Sequence, residues 1–460
     1  MTTPSRPLSA SVIARYAAGS IGTGGFATLP GLVLAIYLTD TLGVAAIWVS
    51  VILIVSKIWD VVIDPVIGGR SDRSLALTGT RRRFMLLGAI LLPVFFVLTF
   101  AVPPALGPVA SGSWVLVAFV LAATAFSLFQ VPYIALPAEL TSSYDARTRL
   151  LTVRVVVLTF AILLFGAGGP ELRRLFGGET PAGYLGMAIA AGLLLGAGML
   201  VAVFSAPRGP VGPPPPKRPL ASFYAEGISV LRRSRPFRAL LATFLLQALA
   251  TGMMLAGAAY IAKWVLHDAQ SGTTYLFLAL IAPALICAPL WAVISRRTGK
   301  EWAFGLASIV FGLAALSLVL LVWMPGAWLY VPVAIAGAAY AGMQSLPMAM
   351  LPDVISHDAR THGEGHAGTF GGVWTAGETT GMALGSVVLT LGLALTGYQE
   401  AVAGQTVEQS ANAIAGIVLG FSIVPAIMIA LSLWTLSRYP LRRHDIEEDA
   451  ALATTEGAAS

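Results

Sequence analysis

The sequence predicts an all-α integral membrane protein, with twelve transmembrane helices grouped as two six-helix bundles. Three observations lead there. The chain of 460 residues is 57% hydrophobic and only 11% charged, and its mean hydropathy of +0.81 lies well outside the range of water-soluble domains. Its apolar residues fall into twelve runs, each close to the roughly 20 residues that cross a hydrocarbon core of about 30 Å. The runs also repeat: motifs in the first half return, in order, six runs later.

The predicted spans are 14–38, 44–69, 84–103, 113–140, 150–169, 183–206, 238–264, 273–295, 303–323, 328–351, 368–395 and 413–437. All but four of the 28 Lys and Arg lie in the N-terminus, in the loops after the even-numbered spans, or in the C-terminal tail, counting Arg15, Arg154 and Arg238 at the adjoining ends of spans 1, 5 and 7. Of the other four, Arg173 and Arg174 fall on the opposite side and Lys57 and Lys263 lie within spans. The positive-inside rule therefore places both termini in the cytoplasm. The expected location is a cell membrane, crossed many times. The net charge of +6 reflects that topology and contact with anionic lipid, and nucleic acid is not an expected partner. The first apolar run is too long for a signal-peptide core and reads as a retained span. A single cysteine, Cys287, excludes an internal disulfide and a thiolate metal centre.

The strongest break in composition is PRGPVGPPPPKRPLASFYAEGISVLRRSRPFR, from Pro207 to Arg238. Its prolines make an extended spacer. After them, Leu220, Phe223, Tyr224, Gly227, Ile228 and Leu231 recur at helical steps ahead of Arg232, Arg233 and Arg235, the pattern of an amphipathic helix on the cytoplasmic leaflet. The division expected is a first bundle at 1–206, a linker at 207–237, a second bundle at 238–437 and a tail at 438–460.

The repeat is visible by eye. QVPYIALPAELTSSYDART, from Gln130, parallels QSLPMAMLPDVISHDART, from Gln344, and PVIGGRSDR parallels PLWAVISRR. A parallel six-helix repeat joined by a long cytoplasmic linker is the architecture of the major facilitator superfamily, whose substrate lies near the midplane between its halves.

The second span carries charges that lipid would not tolerate. In SKIWDVVIDPVIGGRSDRS, from Ser56, residues Lys57, Asp60 and Asp64 stand at i, i+3 and i+7 and share one helical face. A charge at the bilayer centre costs about 2.5–3.5 kcal/mol even on the forgiving insertion scale, so this face must look into the bundle or a wet cavity. Lys57 offsets one acid and leaves the other free to titrate or to bind a cation, unless the three form a structural ion pair. Downstream, Gly68, Asp72-Arg73, Gly79 and Arg81 to Arg83 resemble the cytoplasmic loop signature of the major facilitator superfamily. With the paired Asp145/Arg147 and Asp358/Arg360 they read as a cytoplasmic gate.

KIWDVVIDPVIGGRSDR, QVPYIALPAELTSSYDARTRL, LPDVISHDARTHGEG and GTFGGVWTAGETTGMALG resemble, in order and spacing, the signatures of the glycoside-pentoside-hexuronide cation symporters, a major facilitator family that includes the melibiose carrier. The resemblance spans residues 11 to 437. It implies transport of a sugar or glycoside with Na⁺, Li⁺ or H⁺, and puts the coupling cation on Asp60 and Asp64, aided by the Ser127 hydroxyl. Lys57 stands where arginine is common in the family. The sugar-holding acids of spans 1 and 4 correspond to Gly24 and Gln130, which argues against a galactoside held by two carboxylates. Ile63 replaces an asparagine and Thr379 a frequent lysine, while Glu378 remains. Loss of an oxygen ligand at Ile63 favours H⁺ over Na⁺.

By residue type, Trp374 and Glu378 on span 11 and Gln130 and Tyr133 on span 4 offer the aromatic face and hydrogen-bonding groups that suit a polyol ring, or else simple helix packing. Gly19, Gly22, Gly24 and Gly25 make span 1 thin, chiefly for close helix approach. His357, His362 and His366 in HDARTHGEGH lack the HExxH spacing of a zinc enzyme, and no metal site or cofactor is expected beyond the coupling ion. No phosphate-cradling loop points to ATP. The expected function is cation-coupled symport of a small solute by alternating access, carried out as a monomer. A lysophospholipid or other amphiphile is the alternative substrate. A polytopic acyl or glycosyl transferase, or a receptor, would leave the repeat unexplained and lacks the loops or tails it needs.

Overall fold

Inside lipid a backbone amide has no partner except another backbone group of its own segment, and this chain meets that requirement with helices throughout. The computed structural model describes residues 9–141, 144–208, 211, 220–268, 271–362, 367–402 and 407–441. The helices are α1 (Ala10–Ile36), α2 (Ala46–Thr78), α3 (Arg82–Phe100), α4 (Pro108–Leu140), α5 (Tyr144–Leu175), α6 (Pro181–Val203), α7 (Leu220–Arg233) and α8 (Arg235–Trp264). They continue with α9 (Gly272–Thr298), α10 (Lys300–Ser317), α11 (Tyr330–His362), α12 (Ala367–Leu395), α13 (Ala411–Phe421) and α14 (Ile423–Leu436). Among the described residues, twelve helical segments are long and apolar enough to cross a membrane.

Helix ends follow local chemistry. Thr180, Ser234 and Ser410 cap α6, α8 and α13 by accepting from backbone amides three residues on, and a proline in the first turn of α6 and of α8 removes an amide that would otherwise lack a partner. Gly79 closes α2 in the left-handed region, at φ 71°. Two differences from the predicted spans have physical causes. Span 1 ends in one wide turn, Tyr37–Thr41, closed by Leu42 N donating to Tyr37 O at 3.1 Å, which tucks Asp40 out of sight at 5% exposure. Span 12 is two helices, α13 and α14: Pro425 cannot donate to the Phe421 carbonyl, and the Ser422 hydroxyl donates to Val418 O at 2.7 Å.

The chain divides into two units. The first comprises Met1–Leu220 with Asp268–Thr274 and Tyr398–Gln409; the second comprises Ala221–His267, Tyr275–Gly397 and Ser410–Ser460. Within the first, α1 packs on α5 and α6, and α3 on α4 and α6. Within the second, α8 packs on α12 and α14, and α10 on α11 and α14. The sequence repeat is thus a repeat of packing partners. Close crossings are set by glycine: a Cβ on Gly88 of α3 would sit 2.6 Å from Ala125 O of α4, and one on Gly385 of α12 would sit 2.4 Å from Leu249 O of α8.

The segment after α12 belongs to the first unit, where it straps the turn that follows α1. The Tyr398 hydroxyl donates to Asp40 Oδ1 at 2.5 Å, Ala401 N to Thr39 O at 3.0 Å, and Glu400 Oε1 accepts from Ala46 N, at the start of α2, at 2.8 Å. Leu42 and Val402 complete it with an isolated antiparallel bridge. Residues 212–219 of the proline spacer, the tail from 442 and His366 lie outside the described part, as does the side chain of His362.

Candidate functional site

The charged face of α2 is arranged as a pair and a remainder. One turn apart on the helix, Lys57 Nζ donates to Asp60 Oδ2 at 2.8 Å, and both side chains are about three-quarters covered. One turn further on, the Asp64 carboxylate lies beside the Ser127 hydroxyl of α4, with Asp60 and Lys57 as its charged neighbours. Asp64 itself is exposed in the fold. Four residues chosen from sequence therefore meet on two helices of the first unit, with two acids against a single base. Ile63, next to Asp64, presents no oxygen.

The other residues of the first unit are placed as follows. Gln130 Oε1 accepts from the Thr23 hydroxyl of α1 at 2.7 Å, and the amide Nε2 makes no hydrogen bond among the described residues. Tyr133, three residues on, is fully buried: its ring stacks on Tyr16 and Phe129, and its hydroxyl donates to Tyr16 O at 2.8 Å and lies 3.1 Å from Ser20 Oγ. It is committed to the α1–α4 contact. Gly24 faces α5, where a Cβ would come within 3.0 Å of Ala161 Cβ and 3.1 Å of Leu158 O, so glycine here serves helix approach.

In the second unit Trp374 is buried and stacked on Phe244 of α8, with centroids 4.5 Å apart and planes 16° from parallel, and its indole N–H has no acceptor among the described residues. Glu378, one turn along α12, lies near the Tyr340 phenol of α11 and has no basic neighbour among the described residues. The Tyr340 hydroxyl in turn accepts from Gln344 Nε2 at 2.5 Å. Thr379 spends its hydroxyl on the carbonyls of Thr375 and Ala376.

Where the loops after the second and eighth spans meet the ends of the fourth and tenth, each unit holds a clamp. Arg81, only 10% exposed, donates to Asp72 Oδ1 and to Glu139 Oε1, both at 2.5 Å, and to Ser71 Oγ at 2.7 Å. Lys300 reaches Asp353 Oδ2 at 2.6 Å and Ala349 O at 3.0 Å. Glu139 and Asp353 are the acids that follow Leu-Pro in the two repeats. Asp358, 1% exposed, pairs with Arg233 of the amphipathic helix α7 at 2.5 Å. Arg73 and Arg360 are exposed, and the side chains of Asp145 and Arg147 lie outside the described part.

Sequence reasoning missed several of these groups. Arg81 appeared only within a run of arginines, and its role as hub depends on its direction off the Gly79 turn. Arg154 was counted with the loop charges, yet it lies in a membrane-spanning stretch of α5, its guanidinium 5.4 Å from the Tyr133 ring centroid. The signal was available, because an ionisable residue within an apolar run is a functional candidate by default.

Known proteins place this geometry. Over residues 15–443 the chain matches the family model described as MFS/sugar transport protein. It is 25% identical to a putative glycoside/cation symporter of Escherichia coli, over 90% of this chain and 88% of that one. It is 27% identical to the sodium-dependent lysophosphatidylcholine symporter 1 of mouse, over 89% and 82%. Among solved structures, the fold resembles that of a D-xylose-proton symporter, with a TM-score of 0.67 at 12% identity, over 94% of this chain and 98% of that one. The chain belongs to the MFS/sugar transport protein family of the major facilitator superfamily, and is accordingly a multi-span membrane transporter and not an enzyme.

Proposed function

We propose that this protein carries a sugar or glycoside together with a cation, by alternating access, and that the cation is a proton in preference to Na⁺. The observation that supports it most is the arithmetic on α2. Lys57 neutralises Asp60, and Asp64 is left beside one hydroxyl with no base of its own inside a membrane span. An acid in that position is retained because a cation loads and unloads there as the protein changes its facing. A proton needs only the carboxylate, whereas Na⁺ needs a shell of oxygens that Ile63 does not extend. Gln130 with Thr23 in the first unit, and Glu378, Tyr340 and Gln344 in the second, supply hydrogen-bonding groups of the kind a polyol requires. The Arg81 and Lys300 clamps are gate elements, on the cytoplasmic side if both termini are cytoplasmic, and the carrier works as a monomer in a cell membrane.

The mouse relative's name favours a second reading, transport of a lysophospholipid. Proteoliposome uptake of labelled glycosides and labelled lysophosphatidylcholine, under imposed pH or Na⁺ gradients, tests both. The first reading expects glycoside accumulation that follows the pH gradient. Accumulation of the lysolipid alone supports the second, and uptake indifferent to either gradient contradicts coupling.

A further inference from the structure

Glu378 is an acid well inside a membrane crossing, Thr369–Leu395, and no charged group among the described residues bears on it. The elements packed on α12 explain why. Where α8 passes, the side chains opposite Gly377 and Gly381 are Leu241, Leu245 and Ala248. The charges of α8 stand at its ends: Arg235 and Arg238 at the start, with the Arg238 guanidinium turned to Arg232 O at 3.0 Å, and Lys263 at the finish, just after the Tyr260 phenol. α13 contains no titratable residue. α7 meets α12 at Val373, and there Arg233 is bound to Asp358 while Glu226 and Arg232 are exposed. From α11 the titratable group beside Glu378 is the Tyr340 phenol, and Asp353, towards the far end of that helix, is paired with Lys300.

Hydrogen bonds do not make up for the missing base. Gln344 Nε2 donates to the Tyr340 hydroxyl, and the Trp374 indole N–H, one turn before Glu378, has no acceptor among the described residues. By contrast Asp60, Glu139, Asp353 and Asp358 each have a Lys or Arg nitrogen within 2.8 Å. Glu378 is half-buried, so it is neither sealed nor fully solvated. A carrier that alternates its access must pass through an occluded state, which strips the remaining water from this side chain. With no arginine or lysine to replace that water, an ionised carboxylate resists the passage. A neutral acid does not, and it can still hydrogen-bond to Tyr340 or to a solute hydroxyl.

We propose that Glu378 is a proton-dependent gate: the carrier changes its facing only while Glu378 holds a proton. This role is separate from coupling at Asp64, because the proton on Glu378 stays in place through the cycle and takes no energy from a gradient. An amide at this position would hydrogen-bond as well, and the acid adds a dependence on pH. Ionisation should slow the change of facing about a hundredfold, which is the penalty of an unpaired charge at the bilayer centre expressed as a rate. The inference rests on the alternating-access reading above and not on which solute is carried.

The test uses the full chain in proteoliposomes, in an Asp64→Asn background that removes the titration of the coupling acid. To this background Glu378→Gln or Glu378→Asp is added, and every chain is first shown to be monodisperse. Exchange of labelled methyl glucoside and of labelled lysophosphatidylcholine is followed at equal concentration and equal pH on both sides, from about pH 5 to pH 10. Over the same range and without solute, infrared difference spectra against the Glu378→Gln chain follow the carboxylic-acid C=O band of Glu378. Asp64→Asn should exchange about a hundredfold more slowly once that band has gone. Adding Glu378→Asp should keep a pH-dependent fall, whereas adding Glu378→Gln should leave a rate that varies by less than about threefold. A merely structural role would alter the rate at every pH and leave its pH dependence in place. A band that persists over the whole range, no band at all, or a fall that survives Glu378→Gln overturns the gate and leaves coupling at Asp64 standing. Exchange of neither probe at any pH ends both solute readings; the band alone then decides, and one that does not titrate ends the gate as well.

Discussion

Lys57 Nζ lies 2.8 Å from Asp60 Oδ2, and the charge it brings into the second span is spent there. Its reach is set by the i,i+3 spacing, so it serves the acid one turn away and acts on the acid at i+7 only at a distance. The consequence is an asymmetry between two chemically identical side chains. Asp60 is a partner in an ion pair, and Asp64 is exposed with only a hydroxyl beside it.

Ser127 is the group on α4 that distinguishes Asp64 from a bare carboxylate. Ser127→Ala removes the hydroxyl beside Asp64 and leaves both acids in place, a change worth about 1 kcal/mol. We expect the apparent affinity for the coupling cation to fall about fivefold, with maximal uptake retained, measured as the concentration dependence of driven uptake. An unchanged affinity would exclude the hydroxyl from the cation's surroundings.

The Arg81 clamp makes a stability prediction. Glu139 is largely covered, so Arg81→Ala leaves a buried acid without its base, at a cost of about 2–3 kcal/mol. Glu139→Gln in the same chain removes the orphaned charge and should recover at least half of the lost thermal stability. The repeat-related pair Lys300 and Asp353 is more exposed, and Lys300→Ala should cost under about 1 kcal/mol. Equal losses at the two clamps would show that their burial does not matter.

The strap on the first unit can be watched directly. Tyr398→Phe deletes the hydroxyl that donates to Asp40, and the amide of Ala401, bonded to Thr39 O, should then exchange with deuterium about tenfold faster. Amides within α1 should be unaffected. No change at Ala401 would mean that the strap is held by Glu400 and the Leu42–Val402 bridge alone.

Twelve spans and a six-span repeat were legible because both are statements about residue type along the chain, and lipid enforces them residue by residue. The meeting of Asp64 with Ser127 was implied by resemblance. Lateral geometry was not legible. Nothing in GTRRR says which arginine turns back to Asp72 and Glu139, and nothing in QVPY says that Tyr133 faces Tyr16 while Gln130 faces Thr23. Asp40 falls between predicted spans, and its burial depends on a turn and on a segment more than 350 residues away in sequence. Arg154 was readable but discounted: its neighbours along the chain are loop arginines, whereas its neighbours in space are two tyrosines.

The central claim is that Asp64 is the group whose loading drives accumulation. The most direct measurement is paired transport by Asp64→Asn in proteoliposomes, comparing uphill uptake under an imposed pH or Na⁺ gradient with solute exchange at equal concentrations. The account predicts that uphill accumulation falls to background while exchange persists within about threefold of wild type, because an uncharged carrier still turns over when loaded. Gradient-driven accumulation at the wild-type level in Asp64→Asn would contradict it.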